Sequence, residues 1–386
     1  MNDNTLKSKK TALMTWYSYP NYGTALQAFA LQHVIINLGY ENEIICYTPK
    51  NINLKSQKGI RVLFARFRRK IDYLLNTPYL SPEQINKFRS FTETELIKSP
   101  ILFDNSDEEK WNSMYDAFVC GSDQIWSPVN YDSNYFLSFV KNKSKIIAYA
   151  PSIGTPFFKS NEIKEKMSKD ISCFKYLSVR ESSGVKIIKD ICGKDATLVV
   201  DPTLLISRNE WLDILCKRSI PIECNEQYIL CYFLGNAKQY ENYVNRISSI
   251  LHMPVIIIPM FKQQYKSKCV IKNDIDPLEF VSLFANAAYV CTDSYHGVLF
   301  SVNFHKRFTA FKRFKDNSSF SQNTRLYSFL KLVGLETRIV DKAGLNDMCL
   351  SNINYRDVES NLMKAKRASL SFLKESLLKA TSESNI

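Results

Sequence analysis

The sequence predicts an α/β protein built from two Rossmann-like domains that face each other across a cleft. A chain of 386 residues is too long for one ordinary domain and suits two. Along the first half, short β-branched runs alternate with helical patterns, and the alternation starts again near residue 228. This alternation is typical of parallel, doubly wound sheets, in which helices join the strands.

The first predicted domain covers residues 1–207. Its first strand is predicted at residues 11–16, followed by a turn-rich loop at 18–23 and a helix at 24–38 that ends before Gly39. Further strands are predicted at residues 43–47, 117–120, 145–149, 176–179 and 197–200. In a parallel sheet the carboxyl ends of these strands lie at one edge, where ligands bind.

The second predicted domain covers residues 227–350 and follows a connecting segment at about 208–226. Strands are predicted at residues 228–234, 254–258, 289–292 and 307–311, with helices at 277–287 and 295–304. A charged amphipathic pattern over residues 358–378 predicts a long helix within the C-terminal segment 355–386. We expect this helix to return to the first domain, and the ligand cleft to lie between the two domains.

The composition predicts a soluble, cytoplasmic protein. Hydrophobic residues make up 45% of the chain and charged residues 23%, as in ordinary globular proteins. The sequence has no run of 18 apolar residues, and its polar, basic start does not resemble a secretion signal. The ten cysteines form no Cys-x-x-Cys pair, which favours reduced thiols over disulfides or zinc ligands. We predict no metal site and no cofactor.

The net charge of +13 is partly concentrated in one segment. Residues 55–75 combine seven Lys and Arg side chains with apolar residues at helical spacing, which predicts a basic amphipathic helix. This helix either packs on its own domain with a solvated face or contacts the inner, anionic face of a membrane. No motif for nucleic-acid binding accompanies the charge, so nucleic acid is not an expected partner.

Four groups of polar residues follow predicted strands and are the candidates for chemistry. They are residues 18–23 (Ser-Tyr-Pro-Asn-Tyr-Gly), 120–126 (Cys-Gly-Ser-Asp-Gln-Ile-Trp), 178–181 (Ser-Val-Arg-Glu) and 291–297 (Cys-Thr-Asp-Ser-Tyr-His-Gly). In the fourth group, Asp293 or Ser294 is expected to cap a helix, which places His296 in its first turn. Backbone N–H groups at such a helix start bind phosphate or carboxylate, and histidine exchanges protons near neutral pH.

Read in order along the chain, these groups resemble the polysaccharide pyruvyl transferase family. The resemblance rests on Asn21 to Gly23 with Leu26 and Gln27, and on residues 121–126, 148–154 (Ala-Tyr-Ala-Pro-Ser-Ile-Gly), 178–181, 200–203 (Val-Asp-Pro-Thr) and 292–297. It covers most of the chain. It implies a fold similar to the two-domain glycosyltransferase-B arrangement, with the acceptor expected on the first domain (1–207) and the donor on the second (227–350). It also implies transfer of pyruvate from phosphoenolpyruvate to a sugar of a polysaccharide or its precursor, such as a capsule or exopolysaccharide, as a ketal.

The resemblance also implies roles for individual residues. His296 corresponds to the family histidine that acts on phosphoenolpyruvate, and the arginine that many members carry two residues earlier is Ser294 here. We therefore expect the donor's anionic groups to be bound by Arg180 first and Arg325 second, with the helix start at His296 and Gly297 holding phosphate. Ser294 is also expected to contact substrate. Asp123 is expected to act on or hold the acceptor sugar. Further contacts to the sugar are expected from Asn21, Gly23, Gln124 and Trp126.

Each of these roles has a structural alternative. Trp126 can belong to the core, Asp123 can cap a turn, and Arg180 can pair with Glu181. Asp201, which precedes a proline, is expected to shape a turn rather than react. The other three histidines, His33, His252 and His305, are expected to be structural.

Two other functions stay open at the level of sequence, because a fold does not fix a reaction. One is a glycosyltransferase that uses a nucleotide-activated sugar, with Glu279 as a carboxylate for the ribose. The other is a non-catalytic scaffold in glycan assembly. The acceptor can be free or lipid-linked, and the sequence does not distinguish these possibilities.

Overall fold

The computed structural model describes residues 8–48, 79–222, 226–235, 237–316, 318, 321–340 and 350–382. The basic segment predicted at residues 55–75 lies outside the described residues, so neither interpretation of it is tested. No helix in the described part of the chain is long and apolar enough to cross a membrane.

The first sheet has seven parallel strands in the order β3-β2-β1-β4-β5-β6-β7. The strands are β1 (Lys10–Met14), β2 (Glu41–Cys46), β3 (Lys98–Leu102), β4 (Ala117–Cys120), β5 (Ile146–Ala148), β6 (Tyr176–Val179) and β7 (Thr197–Leu198). The chain runs outward from β1 through β2 to β3, then crosses back to β4 on the other side of β1. The strand order therefore reverses between β1 and β4.

The second sheet has six parallel strands in the order β10-β9-β8-β11-β12-β13. The strands are β8 (Ile229–Tyr232), β9 (Val255–Ile258), β10 (Val270–Ile271), β11 (Tyr289–Thr292), β12 (Arg307–Phe311) and β13 (Ile339–Val340). Here the order reverses between β8 and β11. Two parallel, doubly wound sheets confirm the predicted fold class.

Twelve α-helices in the described residues connect and cover the strands. They are α1 (Tyr22–Asn37), α2 (Pro82–Thr94), α3 (Glu108–Met114), α4 (Asn161–Ser172), α5 (Ser182–Cys192), α6 (Pro202–Leu205), α7 (Arg208–Lys217), α8 (Glu241–Leu251), α9 (Pro277–Asn286), α10 (Tyr295–Asn303), α11 (Asn323–Val333) and α12 (Tyr355–Ser382). Short 3₁₀ turns follow several strands, including Asp123–Trp126 after β4.

Helix α1 connects the cores of the two sheets. Nearly all of its surface is buried, because its apolar residues occupy every face of the helix instead of a single stripe. At its start, the ring of Tyr22 stacks on Phe280 of α9, with centroids 4.5 Å apart, and meets Tyr232 of β8 edge-on. The start of α1 is therefore held directly at the boundary between the two sheets.

The C-terminal helix α12 packs against the first sheet, as predicted. The backbone N–H of Val200 donates to Ser369 Oγ of α12 at 2.9 Å, and Leu373 and Leu377 of this helix are fully buried. The division of the chain at residues 207 and 227 stays a prediction.

Some elements were not predicted. The strands β3, β10 and β13 lie at sheet edges, two of them are only two residues long, and their sequences lack the buried apolar pattern of a central strand. The segment 208–226, expected only to join the domains, contains α7, which begins with a capping box formed by Ser207 and Glu210.

Candidate functional site

The candidate site lies where the strand order of each sheet reverses. At the carboxyl ends of β1 and β4 in the first sheet are the loops that carry Asn21 and Asp123. At the carboxyl ends of β8 and β11 in the second are the loops that carry Gly235 and Asp293. Ligands of open α/β sheets bind at such reversal points, because the loops diverge there and leave a crevice.

Asp123, Arg180 and Asp201 form a buried ion network on the first sheet. Arg180 Nη2 donates to Asp123 Oδ1 at 3.0 Å, and Arg180 Nη1 donates to Asp201 Oδ2 at 2.6 Å. Thr24 Oγ1 donates to the other oxygen of Asp123 at 2.6 Å. Burial opposes ionisation of Asp123, but the charges of Arg180 and His296 bring the pKa of its carboxyl below the usual value. Both carboxylates are therefore ionised at neutral pH.

His296 joins this network from the second sheet. Its Nε2 lies 3.5 Å from Asp201 Oδ2, is buried, and has no hydrogen-bond partner in the described part of the chain. Asp201 is fully buried, which opposes its charge, yet His296 and Arg180 hold its pKa well below the usual range. Histidine is a common general acid, so His296 is the candidate proton donor of this network.

Two glycines make room for His296 and its helix start. A Cβ atom on Gly23 would lie 2.0 Å from His296 Nδ1, so the imidazole packs directly on the first turn of α1. A Cβ atom on Gly297 would lie 2.4 Å from Thr292 Oγ1, so α10 begins tightly against the end of β11. Ser294 caps α10 by accepting from the Gly297 N–H at 3.3 Å, as one of the two predicted capping alternatives. The space beside Gly23, where a sugar contact was expected, is thus taken by His296.

Two further arginines face the same cleft without a carboxylate partner among the described residues. Gln322 Oε1 accepts from Arg313 Nη2 at 2.9 Å and from Arg325 Nη2 at 2.8 Å, which holds the two cations together. From the first sheet, the side-chain oxygen of Gln124 accepts from Arg325 Nη1 at 2.8 Å and from Arg325 Nη2 at 2.6 Å. Burial, together with the charges of Arg180 and Arg313, lowers the pKa of Arg325 to about 10. This cationic pair is suited to an anion, which would relieve the repulsion between the two guanidinium groups.

The ring of Tyr295 links the arginines to His296. The guanidinium carbons of Arg180 and Arg325 lie 4.9 and 5.6 Å from its centroid, within the range of cation–π contacts. The centroid of the His296 ring lies 5.4 Å from the same centroid. His296 and Arg325 are therefore both neighbours of one aromatic ring.

The structure corrects two predicted contacts. Trp126 is 0% exposed, stacks on Phe136 at 5.0 Å, and donates its indole N–H to the Tyr135 carbonyl at 3.1 Å. It belongs to the core, because its flat faces are covered by other aromatic rings. The side chain of Arg180 is also 0% exposed, and both its Nη atoms are bound to carboxylates. Arg180 therefore organises Asp123 and Asp201 and is not free to bind an anionic donor.

Other predicted residues have defined structural partners. Asn21 Oδ1 accepts from the Thr24 N–H at 3.2 Å and caps α1. Glu279 accepts from the Asp276 N–H at 2.7 Å and from Lys87 Nζ at 3.0 Å, so its carboxylate closes the capping box of α9.

The sequence did not indicate a role for Arg313, and it predicted only a turn-shaping role for Asp201. Asp201 does shape a turn, because its Oδ1 accepts from Thr203 N–H at 3.1 Å, but its other oxygen belongs to the ion network. Only its position directly after the carboxyl end of a strand indicates the second role. Arg313 follows β12 in the same way, but no motif surrounds it. In the described residues no group of three or more His, Cys, Asp or Glu side chains is arranged to hold a metal ion.

The fold and the site define a two-sheet α/β protein with an acid–cation cluster in the cleft between its sheets. A family model described as polysaccharide pyruvyl transferase matches residues 21–313. The match spans well over half of the chain, so the chain belongs to the polysaccharide pyruvyl transferase family. Comparison with curated protein sequences finds no match.

Two solved structures are similar to this chain at low sequence identity. UDP-GlcNAc 2-epimerase from Neisseria meningitidis, bound to UDP-GlcNAc, is 9% identical with a TM-score of 0.46, over 95% of this chain and 99% of that one. ADP-heptose LPS heptosyltransferase II from E. coli is 10% identical with a TM-score of 0.36, over 93% of this chain and 99% of that one. These likenesses concern the fold alone.

Proposed function

We propose that this protein transfers the pyruvyl group of phosphoenolpyruvate to two hydroxyls of a sugar in a polysaccharide or its precursor, forming a ketal and releasing phosphate. The observation that carries the proposal is the pairing of His296 with Arg325 around the ring of Tyr295. Phosphoenolpyruvate needs an acid for its methylene carbon and cations for its carboxylate and phosphate. This cluster offers both.

In the proposed reaction His296 gives a proton to the methylene carbon of phosphoenolpyruvate, and positive charge develops on the carbon that bears phosphate. One sugar hydroxyl adds to that carbon and loses its proton. The second hydroxyl then replaces phosphate, which leaves with a proton. The two hydroxyl protons lost are balanced by the new C–H bond and the proton that departs with phosphate.

The anionic groups of the donor would be bound by Arg325 and Arg313. Neither has a carboxylate within ion-pair distance among the described residues, and Arg313 is only half-buried, so the pair reaches the cleft. The start of α10 adds backbone N–H groups and the positive end of a helix dipole. Arg325, the second choice from the sequence, therefore takes precedence over Arg180, and it stands in for the arginine that Ser294 replaces.

We also propose a cytoplasmic location, where phosphoenolpyruvate is available. The described cysteines are all free, which fits a reducing compartment. The acceptor is proposed to be a sugar on a polysaccharide precursor, presented free or on a lipid.

The proposal is tested by measuring phosphate released from phosphoenolpyruvate with panels of free and lipid-linked sugar acceptors. We expect acceptor-dependent release by the wild-type protein and loss of release in His296→Ala. The matched control is His33→Ala, which removes a histidine of α1 that bonds Asn37 and lies outside the site. A contrary result is that phosphoenolpyruvate neither reacts nor raises the melting temperature, while a nucleotide-sugar raises it. The donor is then a nucleotide-sugar, and the protein is a glycosyltransferase.

A further inference from the structure

The C-terminal helix α12 presents two different faces. Its inner face packs on the first sheet through Leu373 and Leu377, which are fully buried. On its outer face, three large apolar side chains stay in contact with solvent. Met363 is 46% exposed, Leu370 40% and Leu378 61%. A single exposed apolar residue is ordinary at a protein surface, but several on one helix face indicate an interaction site.

The exposed apolar residues of α12 lie in one row with basic residues. The row is Met363, Arg367, Leu370, Lys374 and Leu378, at intervals of four, three, four and four residues. Residues three or four apart are neighbours on the surface of an α-helix, so all five lie on one side of α12. Arg367 and Lys374 are exposed like their neighbours. This outer row, about 22 Å long, therefore alternates apolar and basic side chains.

The positive charge of the outer row is not compensated by acidic residues of its own helix. Residues 363–382 include five Lys and Arg and a single acid, Glu375. Glu375 accepts from Ser371 Oγ at 2.8 Å and lies 3.8 Å from Lys379 Nζ, so its charge is engaged outside the row. Arg367 and Lys374 have no carboxylate within ion-pair distance in the described part of the chain. An anionic partner can therefore reach both cations.

The combination of charged and apolar groups selects the partner. A second copy of the chain, placed symmetrically on this face, would bring equal positive charges together. A polyanion such as a nucleic acid would pair with the cations but leave the Met and Leu side chains in water. An anionic bilayer satisfies both groups, because lipid phosphates attract Lys and Arg while apolar side chains enter the boundary between headgroups and acyl chains.

We propose that the outer row of α12 docks this protein on an anionic bilayer surface. The helix lies flat on the bilayer, with its two basic side chains at the lipid phosphates and its three apolar side chains below them. This surface lies on a different stretch of chain from the basic segment at residues 55–75, and either contact can exist without the other.

Docking through α12 brings the bilayer close to the candidate site. On the inner side of the helix, Ser369 Oγ accepts from the N–H of Val200, the residue before Asp201. An α-helix with its side chains is about 10–12 Å thick, so the bilayer lies about one helix diameter from this strand end. We therefore expect the acceptor sugar to be attached to a membrane lipid, an expectation that rests on the proposed function.

Vesicle sedimentation tests the docking without donor or acceptor. The full chain is mixed with vesicles of phosphatidylcholine alone, or of equal parts phosphatidylcholine and phosphatidylglycerol. One test variant, Arg367→Gln/Lys374→Gln, removes the charges of the outer row. The other, Leu378→Ser, removes its most exposed apolar side chain. All three side chains are exposed, so their loss does not endanger folding.

The control variants remove the same kinds of group elsewhere. Lys110→Gln/Lys166→Gln removes two exposed cations from α3 and α4, which pack on the opposite face of the first sheet from α12. Ile250→Ser removes a 48% exposed apolar side chain from α8, next to the second sheet. Both controls keep the outer row intact, and the first matches the change in net charge.

We expect the wild type to bind the anionic vesicles and not those of phosphatidylcholine alone. Arg367→Gln/Lys374→Gln should lower the partition constant about thirtyfold, because each basic group contributes about a factor of five at an anionic surface. Leu378→Ser should lower it about three- to tenfold, since apolar burial at the interface is lost. The control variants should stay within about twofold of the wild type, because charges far from the contact are screened.

Four results would overturn the inference. They are no binding of the wild type to anionic vesicles, equal binding to both kinds of vesicle, wild-type binding by both test variants, or a dimer that the same variants dissociate without lipid. The proposed function is tested separately by phosphate release in detergent solution, where Arg367→Gln/Lys374→Gln should keep the wild-type rate. Its failure would leave the dependence of vesicle binding on α12 intact.

Discussion

Asp201, which follows the last strand of the first sheet, contacts the imidazole ring of His296. Its Oδ1 caps α6, and its Oδ2 contacts Arg180 and His296, so the strand end fixes the position of the charge. We infer that Asp201 is a positioning residue that orients the imidazole ring of His296.

Asp201→Asn is predicted to lower kcat for pyruvyl transfer on the order of a hundredfold, because the amide removes the negative charge that faces the imidazole ring. Steady-state kinetics measure this directly. Thr203→Val, which removes only the 2.8 Å bond from the Thr203 hydroxyl to Asp201 Oδ1, is the control and should keep the wild-type kcat. An unchanged kcat in Asp201→Asn would exclude the positioning role.

Asp293 makes the stability of the fold depend on pH. Its pKa of about 6 in the folded protein exceeds the usual value of about 3.9, so its ionised form costs stability. The cost is complete above pH 6 and disappears as the pH falls from 6 toward 4.

Asp293→Asn is therefore predicted to raise the free energy of unfolding at pH 8 by roughly 3 kcal/mol and to leave it nearly unchanged at pH 4. Urea denaturation at both values is the measurement. The exposed Asp213→Asn should change neither. If Asp293→Asn destabilises the protein at pH 8, the carboxylate is held by interactions stronger than its burial cost.

At the scale of elements, helix α10 contacts helix α1 through the imidazole ring of His296, which packs on the first turn of α1. The packing of His296 on Gly23 leaves no space for a methyl group. The functional geometry thus depends on the contact between a helix of the first sheet and a helix of the second.

Gly23→Ala is predicted to displace His296, reduce kcat at least tenfold and lower stability by about 1–3 kcal/mol, the usual range for overpacking. Activity and thermal unfolding are measured together. Gly184→Ala is the matched control, since it also lies in the first turn of a helix, and its nearest contact would be a Val179 methyl at 3.3 Å. Equal loss of activity in both variants would show that the effect is not specific to His296.

The central strands could be predicted because both their faces are buried. The strands at Ala117–Cys120, Tyr176–Val179 and Tyr289–Thr292 were located to the residue, since each is a short, fully buried run between polar loops. Edge strands such as β10 have exposed residues and little apolar signal, and their pairing partners are distant in the sequence. Their existence is decided by tertiary contacts that local patterns do not record.

The residues of the candidate site could be predicted because they follow these central strands. Their ion-pair partners could not be predicted. Asp123, Arg180, Ser294 and His296 follow strands and carry a motif, and the structure brings them together. Which charges pair is decided by the packing of the two sheets. Arg180 satisfies two carboxylates and becomes unavailable, while Arg313, without a motif, joins Arg325 through Gln322.

At the scale of the whole molecule, the cationic pair lies between the sheets, and Gln124 bridges to it from the first sheet. An anionic donor bound here is in contact with both halves of the chain. Binding to the folded state alone stabilises it, by about 2.7 kcal/mol at a ligand concentration of one hundred times Kd.

Phosphoenolpyruvate is therefore predicted to raise the melting temperature of the wild type by several degrees, and Arg325→Gln should abolish the rise. Differential scanning calorimetry over a range of donor concentrations measures it. Arg218→Gln, which removes an exposed arginine paired with Glu95, should keep the full response. An undiminished shift in Arg325→Gln would place the donor elsewhere.

The most direct test of pyruvyl transfer is to run the reaction in D₂O with phosphoenolpyruvate and the acceptor that supports phosphate release, and to examine the product by NMR. Protonation of the methylene carbon predicts a ketal whose methyl group carries one deuterium, formed in equal amount to phosphate by the wild type and not by His296→Ala. A sugar product without the ketal carbon, or a ketal formed at the wild-type rate by His296→Ala, would contradict the account.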